Sequence, residues 1–111
     1  MKKDTNKIKL SLVERFAIPV ILPKQGNVVK LTIVEDILKK IKISQEEMTR
    51  FEIHENAQGF LEWNKKGEDS FIEIDFTAAE KNEIKLALEQ KNKDNELLKE
   101  MLGLCKIFDI K

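Results

Sequence analysis

Residues 51–76 read FEIHENAQGFLEWNKKGEDSFIEIDF, and along this stretch the hydrophobic period of the chain changes from 3.6 to 2. Phe51 and Ile53 alternate with Glu52 and His54, Leu61 and Trp63 with Glu62 and Asn64, and Ile72, Ile74 and Phe76 with Glu73 and Asp75. Asn56-Ala57-Gln58-Gly59 and Lys65-Lys66-Gly67-Glu68-Asp69 supply turns between these runs. The pattern predicts a three-stranded antiparallel meander with one apolar and one acidic face. Phe71 points opposite to Ile72 and Ile74, so it lies on the acidic face, either exposed or covered by a C-terminal helix.

Outward from this stretch the chain is punctuated by capping boxes. In these a Ser or Thr accepts from an orphan helix N–H while an acidic side chain three residues on reaches back. Ser11–Glu14, Thr32–Glu35, Ser44–Glu47 and Thr77–Glu80 fit the pattern, each beside an apolar-periodic segment. A first helix is expected over residues 12–22, kinked at Pro19 or ended at Ile18, because proline lacks an N–H and crowds the carbonyl of Arg15. Pro23-Lys24-Gln25-Gly26-Asn27 then reads as a corner: it holds one glycine with the lysine ahead of it, unlike a phosphate-binding loop. A second helix is expected over residues 33–42, with a short extended piece at Val28, Val29 and Leu31 before it. A third, short helix follows Ser44 and ends near Arg50.

After Thr77 a helical region runs to Phe108, with apolar stripes at Ile84, Ala87 and Leu88 and again from Leu97 onward. The polar run at 91–95 lies between them. One unbroken helix would extend ~45 Å, more than a domain of this size is wide. A break near Asn92–Asn95 is therefore expected, with Asp94 or Asn95 capping the final helix. The alternative is one continuous coiled-coil arm, since Ile84, Leu88, Lys91, Asn95, Leu98, Leu102 and Cys105 keep a 4-3 heptad spacing.

The fold class expected is thus α+β: three N-terminal helices, the meander, and one or two C-terminal helices on its apolar face. The order of elements is winged-helix-like. Residues 1–9 form a basic, flexible tail and residues 10–111 one domain, a size suited to 111 residues.

Charge and composition narrow the function. Twenty basic residues balance twenty acidic ones, where a protein that grips nucleic acid normally carries a basic excess. The charges are unevenly placed. Residues 1–9 carry four lysines against one aspartate, a net +3, and residues 44–76 carry nine acidic against three basic residues, a net −6. A recognition helix drawn from Gln45–Arg50 would put Glu46 and Glu47 against phosphates, which argues against DNA reading. The single cysteine, Cys105, excludes an internal disulfide, and no apolar run reaches a membrane span, so a cytoplasmic protein with no membrane partner is expected.

No catalytic, cofactor or metal residue is expected. His54 lacks a second histidine or a placed cysteine to complete a metal site. Cys105 sits in an apolar stripe where a thiol acts as a small hydrophobe. The carboxylates lie on an open sheet face rather than in a pocket that would shift their pKa. The residues expected to matter are those of a protein-binding face, Glu62, Phe71, Glu73 and Asp75, and of an oligomer contact, Leu98 and Leu102. A nucleic-acid binder using the basic N-terminal residues is the alternative.

One longer pattern carries a resemblance. Leu10, Leu12, Glu14, Arg15, Leu22, Pro23, Gly26 and Asn27, followed by KISQEE and Trp63-Asn64, resemble small phage and prophage proteins of low-GC bacteria that have no assigned activity. The resemblance implies a phage or mobile-element setting, which the Lys-, Ile- and Asn-rich composition suits, and implies no role for any residue.

Overall fold

The computed structural model describes residues 7–111 and shows a mixed helix–strand chain. In order it contains β1 (Lys7–Ser11), α1 (Leu12–Ile21), α2 (Val28–Ile41), α3 (Gln45–Arg50), β2 (His54–Glu55) and β3 (Leu61–Glu62). These are followed by α4 (Lys65–Glu68), β4 (Phe71–Asp75), α5 (Ala78–Lys93), a 3₁₀ turn (Lys99–Met101) and α6 (Leu102–Ile107).

The expected meander is split into two separate sheets. β4 pairs antiparallel with β1, Ile74 opposite Ile8 and Ile72 opposite Leu10, while β2 and β3 form their own hairpin. Two local causes explain this. The stretch 65–68, expected as a turn, is a helical turn that Asn64 caps by accepting from the Gly67 N–H at 2.9 Å, so β3 does not lead straight back into β4. And Lys7-Ile8-Lys9-Leu10-Ser11, of which residues 7–9 were expected in a flexible tail, alternates polar and apolar with a period of 2 and supplies β4 with an apolar partner. Leu10 is fully buried beside Ile74. The rest of the expected tail, residues 1–6, lies outside the described residues. Three helices do precede a hairpin, but the strands of a winged-helix sheet are divided between two ribbons.

α1 starts at the Ser11 capping box, with the Glu14 N–H donating to Ser11 Oγ and the Ser11 N–H to Glu14 Oε1. It runs through Pro19 to Ile21 instead of ending at Ile18. α2 begins five residues earlier than expected, because Asn27 caps it by accepting from the Lys30 N–H at 2.8 Å. Val28, Val29 and Leu31 are therefore helical, and Thr32 lies inside the helix with its hydroxyl donating to the Val28 carbonyl at 2.7 Å. The 23–27 segment is the expected corner, although neither Gly26 nor Asn27 uses a positive φ. α3 and α5 start at the expected boxes of Ser44 and Thr77.

The C-terminal region breaks where the polar run predicts, so the continuous coiled-coil arm does not form. Asp94 and Asn95 close α5 rather than capping its successor: the Asp94 N–H donates to the Gln90 carbonyl, and Asn95 has a φ of 58°. The following turn begins after Leu98.

One core joins the layers. Leu10, Ile18, Ile37, Ile74, Ile84 and Leu104 belong to a single buried cluster that spans both strands of the β1–β4 ribbon and helices α1, α2, α5 and α6. A smaller cluster of Leu12, Phe51 and Ile53 underlies the hairpin. Charged ties hold the helices in register. Arg15, almost fully buried, donates to the Ile41 and Lys42 carbonyls at the end of α2 and to both oxygens of Glu47 on α3. Lys40 on α2 reaches Glu80 on α5 at 2.6 Å, and Lys30 reaches Glu83 at 2.7 Å. Among the described residues no helix is long and apolar enough to cross a membrane.

Candidate interaction surface

Helix α1 presents Val13, Phe16, Ala17 and Val20 on the side away from Arg15's ion pair, and the β2–β3 hairpin and the 98–101 segment rise opposite. Between them lies an open groove of about 410 Å³, in whose lining Glu100 is the one charged residue among those described. Phe16 and Trp63 stack across its floor, ring centroids 5.6 Å apart and planes inclined by 21°. The indole N–H of Trp63 donates to Glu68 Oε1 at 3.1 Å, which fixes the ring while leaving its apolar edge to the groove.

The hairpin tip is rigidly built. Asn56 Oδ1 accepts from the N–H groups of Gln58 and Phe60, the Asn56 N–H donates to the Phe60 carbonyl at 2.7 Å, and Gly59 takes the positive φ of 86° that closes the turn. This turn places two adjacent large apolar residues in water. Phe60 is 68% exposed and Leu61 45%, and across the groove Val20 is 54% and Leu98 51% exposed. An isolated exposed leucine means little, but a contiguous group of this kind around a concave surface marks a contact site.

The polar back of the hairpin is also organised. The His54 ring can donate from Nδ1 to the Glu52 carbonyl (2.7 Å) and from Nε2 to Glu62 Oε1 (3.2 Å), both at once only as the imidazolium, and Asn56 Nδ2 donates to Glu62 Oε2 at 3.0 Å. The Glu52 carbonyl, followed by Glu62, raises the His54 pKa above 6.5. The hydrogen bond from Asn56, and then His54, lowers that of Glu62 below 4.5.

The expected acidic binding face is not one surface. Glu62 belongs to the hairpin, whereas Phe71, Glu73 and Asp75 line the outer side of β4. There they meet cations from β1: Lys9 stands opposite Glu73 and Lys7 opposite Asp75, and the Lys9 ammonium lies 5.5 Å from the Phe71 ring centre. Phe71 is about half-exposed. The outer ribbon face is therefore mixed in charge, because the lysines expected in a free tail are laid directly across from the carboxylates. Leu98 and Leu102 are both about half-exposed, but Leu98 lines the groove and Leu102 does not.

Sequence reasoning singled out Trp63 but passed over Phe60 and Val20. The available signal was the pair Phe60-Leu61, since neighbours in a strand point to opposite faces and both cannot be buried in a two-stranded hairpin. Cys105 is buried in α6 and burial raises its thiol pKa above 9.0, the reverse of an activated nucleophile. Among the described residues no three His, Cys, Asp or Glu side chains are grouped to hold a metal. No family model matches the chain, and no curated protein or solved structure matches it.

Proposed function

We infer that the protein is a small, non-enzymatic accessory protein that works by binding another protein, and that the α1–hairpin groove is where it does so. The observation that supports this is the group of half-exposed apolar side chains, Val20, Phe60, Leu61 and Leu98, held around a concave surface by a hydrogen-bonded turn. Aromatic residues on such a surface are the residue type that anchors protein contacts. The cytoplasmic, phage or mobile-element setting rests on the resemblance and composition described above. Self-association through Leu98 and Leu102, both exposed, is a second reading, and it would compete with the partner for Leu98.

The nucleic-acid alternative is weakened by the pairing of β1, which sets Lys7 and Lys9 opposite Asp75 and Glu73 and leaves less free positive charge for a phosphate backbone. Comparing partner capture by the parent chain and by Phe60→Ser tests the reading, with a mobility shift on duplex and single-stranded DNA alongside. Capture lost in Phe60→Ser, with no DNA shift, supports it. Capture unchanged in the variant, or tight salt-sensitive DNA binding, overturns it. Light scattering on a sizing column tests self-association, which Leu98→Ser and Leu102→Ser should abolish.

A further inference from the structure

The groove carries information about the charge of what enters it. The hairpin that supplies Phe60 and Leu61 bears no lysine or arginine; Glu55 stands opposite Leu61 and shares its face, whereas Glu62 lies on the polar back, tied to His54 and Asn56. Glu100 lines the opposite wall, and Glu68 is fastened to the Trp63 indole. On α1 the one cation is Arg15, turned into the interior and spent on Glu47. The cations of the 98–101 segment and of α4, the other elements beside the groove, are Lys99, directly followed by Glu100, and Lys65 and Lys66, of which Lys65 is paired with Asp69 at 3.5 Å. The apolar trough thus has one carboxylate on each wall, Glu55 on the hairpin side and Glu100 opposite.

We propose that the groove takes an amphipathic helical segment of a partner protein whose apolar stripe is flanked by lysine and arginine. This rests on the reading of the groove as a protein-binding site and adds the chemistry of the occupant. Three considerations select it. A second copy docking through the same face would bring the Glu55 and Glu100 carboxylates of both copies into one apolar contact, a like-charge arrangement that disfavours pairing. A strand is poorly served, because β2 and β3 contribute two residues each and offer too short an edge to template a third. A helix needs only a trough for side chains at i, i+3 or i+4 and i+7, which α1 and the hairpin provide, and basic flanks then complement the two carboxylates.

The test is an unbiased selection. A displayed library of helices about 18 residues long, long enough to hold helical structure, fixes an apolar stripe and randomises every other position. It is panned against the immobilised full chain and counter-selected against Phe60→Ser/Leu98→Ser, two exposed positions whose change leaves the core intact, as a thermal melt will verify. Selected helices should gather Lys and Arg beside the stripe and change the emission of Trp63, the sole tryptophan, on titration. Their binding should weaken on the order of tenfold when those cations are exchanged for Glu, or when Glu55→Lys/Glu100→Lys replaces the parent chain. Selected helices with neutral or acidic flanks, or an affinity indifferent to the charge reversals, overturn the proposal and leave the groove as a protein-binding site. Failure to enrich any helix on the parent over the groove variant overturns both readings.

Discussion

Replacing Glu47 by glutamine keeps the shape of the side chain and one acceptor oxygen but removes the charge that faces Arg15. The guanidinium is 3% exposed and the carboxylate 13%, joined by contacts of 2.8 and 3.1 Å. Hydrogen bonding from Arg15, with the Ser44 N–H helping, holds the Glu47 pKa at about 2, against 4.5 for a free side chain, and overcomes the opposing effect of burial. At ~1.4 kcal/mol per pKa unit, that displacement corresponds to about 3 kcal/mol of folding free energy at neutral pH. The low end of the ~3–5 kcal/mol range for breaking a buried ion pair agrees. For a chain of this length Glu47→Gln should then lower Tm by about 12 °C.

The pH dependence gives the sign. A folded-state pKa below the unfolded one contributes stability that is fully present above 4.5 and is lost as pH falls through about 2. The difference between parent and Glu47→Gln in urea melts should be constant from neutral pH down to about 5, then shrink, and nearly vanish close to pH 2. Arg15→Met/Glu47→Gln should recover part of the loss, because glutamine still completes the capping box and no buried charge is left unpaired. A single variant within ~0.5 kcal/mol of the parent, or a gap that persists unchanged into acid, refutes the account.

Leu10→Ala should cost about 2–5 kcal/mol in a urea melt, since Leu10 is fully buried and paired with Ile72 of β4; indifference would mean that β1 does not pack on β4. Asn27→Ala should cost about 1 kcal/mol and Thr32→Ala under about half of that, separating the observed start of α2 from the expected one by thermal melting. Gly67→Ala places a new methyl 3.0 Å from Phe51 Cβ and 3.1 Å from Leu12 and Trp63 side-chain atoms. The crowding should outweigh the gain in helix propensity and destabilise by about 1–3 kcal/mol, seen as a lower Tm together with a shifted Trp63 emission.

The boxes at Ser11, Ser44 and Thr77 were legible because a capping box is a contact between residues three apart, and no distant part of the chain is needed to complete it. Thr32–Glu35 has the same letters and fails, because Asn27 caps first and the helix is already running when the chain reaches Thr32. The break after α5 was legible for a similar local reason, a polar run that no helix face could bury.

What escaped was everything that depends on the far partner. Ile8 looks like part of a basic tail until β4 is placed beside it, and Glu73 and Asp75 look like an acidic face until Lys9 and Lys7 are set opposite. The groove is likewise assembled from three separated segments. The capping glutamates show how the two levels meet. Glu47 Oε1 accepts from the Ser44 N–H and also from Arg15, and Glu80 Oε1 accepts from the Thr77 N–H and also from Lys40. The local role of each was readable from spacing. The second role, tying α3 to α1 and α5 to α2, belongs to the same oxygen atom and leaves no trace in the local pattern. These two residues therefore start a helix and fix its neighbour at once, so losing either should disturb the packing of α2, where both cations' contacts converge, more than the helix it caps.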